Sequence, residues 1–207
     1  MIDPRRVWYL FCQQFAQVLF VLGFGIRVYH RERLPAEGGV LVVSNHQSFL
    51  DPILVSVGMS RSFHPMARET LFKFPPFAML IRSLYAFPVR RSSADLGAIR
   101  EALRRLKGGA VVLMFPEGTR TRDGSIGVLQ AGPVTIAARA KVPIIPAVID
   151  GAFESWPRTS LLPRPYPIRV AFGTPISPTE TDDPAAVMAA LRDQMLVLQA
   201  ELRRKRA

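Results

Sequence analysis

The chain has 207 residues and a formal net charge of +11, from 27 Lys and Arg against 16 Asp and Glu. That length fits one compact domain with a sizeable core and argues against two full ones, while the basic excess directs attention to anionic partners: phosphate groups, an acidic membrane face or nucleic acid. Cys12 is the only cysteine, which excludes an internal disulfide, disfavours a Cys-based metal site and fits a reducing compartment.

Residues 7–29 are mostly apolar. As one helix they would run about 35 Å at about 1.5 Å per residue, nominally enough to cross a bilayer. Gln13, Gln14 and Gln17 interrupt the run, and Gly23 and Gly25 weaken a helix near its end. Arginines stand on both sides, Arg5 and Arg6 before and Arg27, Arg31 and Arg33 after, so charge sets no orientation across a membrane. The aromatic residues Trp8, Tyr9, Phe11, Phe15 and Phe20 favour a helix or bent helix pair lying in the interface over one packed only on its own domain. A long apolar run without a small-x-small site at Leu22-Gly23-Phe24-Gly25 disfavours a cleaved signal peptide. The chain therefore divides into an N-terminal apolar, membrane-associating segment, 1–29, and an α/β domain, 30–207.

Residues 39–43 read as a short strand, and a helical period begins at Ser48-Phe49-Leu50-Asp51 and continues through Leu54 and Val57. His46 thus sits on the loop between two rigid elements, a usual location for chemistry. Within one continuous helix, His46 and Asp51 would lie about 140° apart. A bend would let Asp51 reach one ring nitrogen, fix the tautomer and leave the other nitrogen as a base. Ser48-x-x-Asp51 equally fits a helix capping box, and position alone does not choose between the two readings.

Further along, residues 63–67 read as a strand and 68–72 as the start of a helix broken by Pro75 and Pro76. Residues 77–84 are helical in pattern, and 85–89 return to strand character, closed by Arg90 and Arg91. Ser92-x-x-Asp95 marks the start of a helix with Ile99, Leu103 and Leu106 on one face and Gly108 at its end. Residues 110–115 are a continuous apolar strand, covered on both faces. It runs into Phe115-Pro116-Glu117-Gly118-Thr119-Arg120, where Gly118 permits a turn and Thr119 with Arg120 offers a hydroxyl and a guanidinium fork to phosphate. Glu117 is placed to orient Arg120 or bind a ligand hydroxyl, though the same residues also make an ordinary surface turn. A helix over 132–140, a buried strand over 144–149, a proline-rich loop over 156–167 and a near-edge strand over 168–172 follow. Asp183-Pro184 then opens a helix whose Met188, Leu191, Met195, Leu198 and Leu202 form one core stripe, ending in the basic run Arg203 to Arg206.

Strands alternating with helices predict an α/β fold with a largely parallel sheet flanked by helices. His46, Arg90 and Glu117 each follow a predicted strand, the edge on which sites in such sheets collect.

Asn45 to Asp51 resembles the H-x4-D motif of the glycerolipid acyltransferases, the 1-acyl-glycerol-3-phosphate acyltransferase (PlsC-like) family, and Phe115 to Arg120 resembles its F-P-E-G-T-R motif. Phe87-Pro88-Val89-Arg90-Arg91 is similar to its second motif and Val142-Pro143-Ile144-Ile145-Pro146 to its fourth, so the resemblance spans roughly residues 28–175. The resemblance implies a membrane-associated enzyme at the cytoplasmic face of a bacterial inner membrane. It implies transfer of an acyl group from acyl-CoA or acyl carrier protein to the hydroxyl of lysophosphatidic acid, giving phosphatidic acid. In that scheme His46 is the general base, Asp51 orients it, Arg90, Glu117, Gly118, Thr119 and Arg120 hold the glycerol phosphate, and neither metal nor cofactor is needed. Arg68 stands where a lysine is common, keeping the charge, whereas Leu129-Gln130-Ala131-Gly132 lacks the lysine that many members carry. That departure motivates an alternative acceptor, such as a lyso-amino-acid lipid. Nucleic acid is not an expected partner, since no zinc-finger or RNA-recognition motif is evident and the aromatics concentrate in apolar segments. His30, among arginines, His64, before Pro65, and Cys12, in the apolar run, are not expected to act chemically.

Overall fold

The computed structural model describes residues 3–90 and 95–206. Val40 and Val42 face one side of strand β2 (Val40–Ser44) while Leu41 and Val43 face the other, and all four are at most 1% exposed. This two-sided burial is what a central parallel strand requires, and each such side chain contributes about 1.5–3 kcal/mol when removed from water. β2 lies between β5 (Val111–Met114) and β6 (Ile144–Asp150) in a seven-stranded sheet of order β1-β7-β6-β2-β5-β3-β4. The outer strands are β1 (Arg27–Tyr29), β3 (Phe63–Arg68), β4 (Phe87–Val89) and β7 (Arg169–Phe172), and only the β6–β7 pairing is antiparallel. One core, containing Val40, Val42, Leu54 and Phe172, lies under helices α1 (Pro4–Phe24) and α2 (Asp51–Val57). The other, containing Leu41, Val43, Leu106 and Leu191, lies under α4 (Leu96–Lys107), α5 (Gly132–Ala140) and α7 (Pro184–Arg206). The predicted stripe Met188, Leu191, Met195, Leu198 and Leu202 is buried there as core packing.

The N-terminal run is one helix, not a pair. Asp3 caps it by accepting from the Arg5 backbone N–H, and Gly25, in the left-handed region at φ 54°, ends it. The helix is fastened to the domain on one face, where the buried Gln13 amide donates to the carbonyls of Ser56 (2.6 Å) and Met59 (2.9 Å), and near its start, where the partly exposed Trp8 indole N–H donates to Ser83. On the opposite face, Phe11, Phe15, Val18 and Leu22 recur at helical spacing and stay exposed, Leu22 by 82%. The helix is long and apolar enough to cross a membrane by length and composition. It therefore both packs on its own domain and displays an apolar stripe. Residues 27–29, grouped with this segment on sequence, form the edge strand β1.

Several boundaries differ from expectation for identifiable reasons. Pro75 and Pro76 begin helix α3 (Pro75–Ser83) and do not break one, because proline in a first turn has no intrahelical N–H bond to lose. The helix predicted from residue 68 is only a 3-10 turn, Glu69–Phe72. Asp95, not Ser92, caps α4, accepting from the Ala98 N–H at 3.0 Å; Ser92 and Arg91 lie outside the described residues. A short helix α6 (Ala152–Ser155) opens the proline-rich segment. β7 is near the edge, as expected, one strand in, between β1 and β6.

Candidate functional site

β2 and β5 run parallel with Val43 opposite Met114, so the chain leaves both at the same edge of the sheet. The loop after β2 carries His46, the loop after β5 carries residues 115–131, and the two are bonded together through His46 itself. The His46 N–H donates to Glu117 Oε1 at 3.0 Å, and the His46 carbonyl accepts from the Thr121 N–H at 2.7 Å. Phe115 lays its ring on the imidazole, 4.2 Å between centroids and 20° from parallel. Asn45, fully buried, continues the sheet with its side chain, donating to the Ile149 carbonyl and accepting from the Ile149 N–H. The imidazole is thus held by backbone, ring stacking and sheet before any carboxylate is considered.

Asp51 supplies the remaining constraint. Its Oδ2 lies 2.7 Å from His46 Nδ1 and accepts from the backbone N–H groups of Gln47 (2.5 Å) and Ser48 (2.8 Å). The cap and the dyad, competing readings on sequence, are made by one oxygen. The bend between the residues is what permits this, because α2 starts only at Asp51. Burial pushes the Asp51 carboxyl above the ordinary range, opposed by its hydrogen bond to His46, the His46 charge and the two amides. An oxygen facing three donors is suited to the carboxylate form. His46 keeps 11% side-chain exposure, and with Nδ1 engaged its Nε2 is the nitrogen left for a substrate.

The remaining predicted site residues separate into supports and open groups. Glu117 uses both oxygens on backbone, Oε1 toward His46 and Oε2 toward the Gly127 N–H at 3.2 Å, so it braces the loop and does not pair with Arg120. Gly118 turns the chain at φ 68°, its N–H closing onto the Phe115 carbonyl at 3.1 Å. Thr119 is exposed on that turn. Arg120 lays its guanidinium 3.5 Å from the Phe49 ring centroid, and its Nη1 is buried without a hydrogen-bond partner. Arg90 leaves β4 at the same sheet edge but two strands beyond β5; it is exposed and sits 3.7 Å from Glu69.

Three contributors carried no signal as functional residues on sequence. Gln47 bridges the loops, donating to the Gly124 carbonyl (3.1 Å) and accepting from the Phe153 N–H. Gln199 of α7, also buried, donates to that same carbonyl at 3.1 Å. Trp156 packs on Phe49, 5.8 Å between centroids, and its carbonyl accepts from the Ser48 hydroxyl. Only the burial of Gln47 could have been guessed, from its place between a strand and an apolar helix.

Of the other histidines, His64 stacks on Tyr85 and is pushed down to about 4 by burial and by Arg105 and Arg5, which keeps it neutral near pH 7. His30 sits by β1 between Glu32 and Glu201, away from the loops that carry His46 and Glu117.

Burial also raises Glu117, against the pull of the His46 and Gly127 N–H groups. A carboxyl whose folded pKa is raised contributes stability that is full below its unfolded pKa and is lost as pH rises through the folded pKa. Wild type should therefore lose melting temperature relative to Glu117→Gln as pH rises from about 4 toward neutrality. A difference constant across that window would contradict this account of Glu117.

Among known proteins, the acyltransferase family model matches residues 25–150. The 1-acyl-sn-glycerol-3-phosphate acyltransferase of Bacillus subtilis is 35% identical over 144 residues, 69% of this chain and 71% of that protein. The chloroplastic 1-acyl-sn-glycerol-3-phosphate acyltransferase LPAT1 of Arabidopsis thaliana is 29% identical over 77% of this chain, which spans only 46% of the plant protein's length. The crystal structure of the 1-acyl-sn-glycerophosphate (LPA) acyltransferase PlsC from Thermotoga maritima aligns with a TM-score of 0.83 at 25% identity, over 98% of this chain and 84% of that one.

Proposed function

This chain belongs to the acyltransferase family, and we propose on that footing that it moves a fatty acyl group from acyl-CoA or acyl carrier protein to the free hydroxyl of lysophosphatidic acid, giving phosphatidic acid. The observation that carries the reading is the 2.7 Å contact between His46 Nδ1 and the buried Asp51 carboxylate, which leaves Nε2 of the partly exposed ring as the nitrogen available to a substrate. A thioester is already activated, so the chemistry needs a base for the acceptor more than a protein nucleophile. Nε2 takes the proton of the acceptor hydroxyl as its oxygen bonds to the thioester carbonyl carbon. The tetrahedral adduct then collapses, the C–S bond breaks, and the imidazolium returns the proton to the departing thiolate. Asp51 holds the ring with Nε2 unprotonated at the outset and stabilises the imidazolium formed in between. Arg120 offers its unpartnered Nη1 to the anionic headgroup. Arg90, released from an exposed pair that is worth little in water, adds positive charge on the approach.

The N-terminal helix supports a membrane-surface enzyme. Freeing α1 to span a bilayer would strip Gln13 from two carbonyl partners. An in-plane helix keeps them and sinks Phe11, Phe15, Val18 and Leu22 into one leaflet, with Arg5 and Arg6 near anionic headgroups. Thioester donors are made inside the cell, so the cytoplasmic face of a bacterial inner membrane is the proposed location.

Purified protein supplied with acyl-CoA or acyl carrier protein and a panel of lysolipids tests the assignment. Turnover of lysophosphatidic acid is expected. Failure with it, together with turnover of a phosphate-free lysolipid, would transfer the assignment to an acceptor such as a lyso-amino-acid lipid, which the neutral Gln130 beside Gly118 would favour.

A further inference from the structure

The segment following α6 is more ordered than its proline content implies. Residues 155 and 164 close on each other, the Arg164 N–H donating to the Ser155 carbonyl and the Ser155 hydroxyl to the Arg164 carbonyl. Inside that closure, the Ser160 N–H donates to the Pro157 carbonyl at 3.0 Å, a turn with Arg158 and Thr159 at its two central positions. The Trp156 indole N–H clips the turn from the side by donating to the Ser160 carbonyl at 3.0 Å. Trp156 is in turn fixed to the catalytic loop, since its carbonyl accepts from Ser48 and its ring packs on Phe49. The other side of that contact is Arg120, stacked on the same Phe49 ring.

One aromatic pair, Phe49 and Trp156, therefore carries a guanidinium on Phe49 and, two residues past Trp156, a second arginine on a clipped turn. Arg158 is exposed, and the buried Nη1 of Arg120 has no hydrogen-bond partner among the described residues. The two positive charges are close enough that Arg158, after burial, is the next cause lowering the Arg120 pKa. Like charges held together beside a general base, one with a buried donor unused, are an arrangement that a shared anion stabilises.

We propose that Arg158 and Arg120 form a two-guanidinium clamp for the phosphate monoester of the acceptor lipid, making Arg158 a specificity-determining residue outside the motifs that carry the family resemblance. The inference rests on the acceptor assignment above. Acyl-CoA also carries a phosphate monoester, so the test separates acceptor from donor. Steady-state constants are measured for wild type, Arg158→Ala and Arg158→Lys with lysophosphatidic acid, with acyl-CoA and acyl carrier protein donors, and with a monoacylglycerol acceptor of the same chain length.

In Arg158→Ala the KM for lysophosphatidic acid should rise about tenfold or more, with kcat within about twofold and donor KM unchanged. Arg158→Lys should fall between, since it keeps the charge and loses the fork. Any slow transfer to monoacylglycerol should be indifferent to the substitution. An unmoved KM for lysophosphatidic acid overturns the clamp while leaving the acceptor assignment intact, and a rise confined to the acyl-CoA KM overturns it by giving Arg158 to the donor. No wild-type turnover of lysophosphatidic acid overturns the assignment itself and the clamp with it. Arg158 lies in solvent, so the variants should melt within a degree or two of wild type.

Discussion

Replacing His46 with alanine should lower the rate of acyl transfer to lysophosphatidic acid by about 10²- to 10⁴-fold, the contribution expected of a positioned general base. The loss should fall on kcat, because the ring is bonded to Asp51 and stacked on Phe115 while the groups offered to the headgroup lie on other residues. The fold should survive: Asp51 keeps its bonds to the Gln47 and Ser48 N–H groups, and the loop keeps the bonds of the residue 46 backbone to Glu117 and Thr121. A rate within fivefold of wild type, measured with both donors on protein of unchanged melting behaviour, would remove His46 from the chemistry.

The second large effect belongs to Asp51→Asn, for which a loss of about 10²-fold or more in kcat is expected. Asparagine is nearly isosteric, and its oxygen can accept from the same Gln47 and Ser48 amides, so the cap survives while the negative charge beside the imidazole disappears. An imidazolium formed during proton abstraction then lacks its counter-charge, although the amide oxygen in the Oδ2 position still accepts from Nδ1–H. The role as helix cap and the role as catalytic partner thus separate experimentally: a cap alone predicts near-normal turnover in this variant, a dyad a crippled one. Burial raises the carboxyl of Asp51, as it does that of Glu117, so the substitution should also remove a cost that grows with pH.

Much of the scaffold could be anticipated because its signals are local. The alternation of apolar runs with helical periods yields β2, β5, β6 and α7, and the strand pairings are parallel apart from β6–β7. The positions of His46, Arg90 and Glu117 after strands likewise follow from parallel pairing. What could not be read depends on side chains meeting across long separations. Nothing local says that Glu117 will spend its carboxylate on the backbone of His46, 71 residues away, leaving Arg120 unpaired. Nor does composition reveal that Gln199 holds the Gly124 carbonyl from the C-terminal helix, 75 residues on. The double prolines at 75 and 76 misled for a different reason: the same residue type ends one helix and starts another, and only the geometry of the preceding turn decides. Phe11 and Phe15 read as apolar, but which face of α1 they occupy depended on where Gln13 was fastened.

The central claim is that His46 acts as a base passing the acyl group directly to lysophosphatidic acid, with no acyl-protein in between. A quenched-flow single turnover with acyl-labelled thioester, excess enzyme and lysophosphatidic acid, resolving label on lipid from label on protein, addresses it most directly. Wild type should move the label into phosphatidic acid with none retained on denatured protein, and His46→Ala should leave it on the thioester. Label accumulating on the wild-type protein before it reaches lipid, or reaching lipid as fast in His46→Ala, would contradict it.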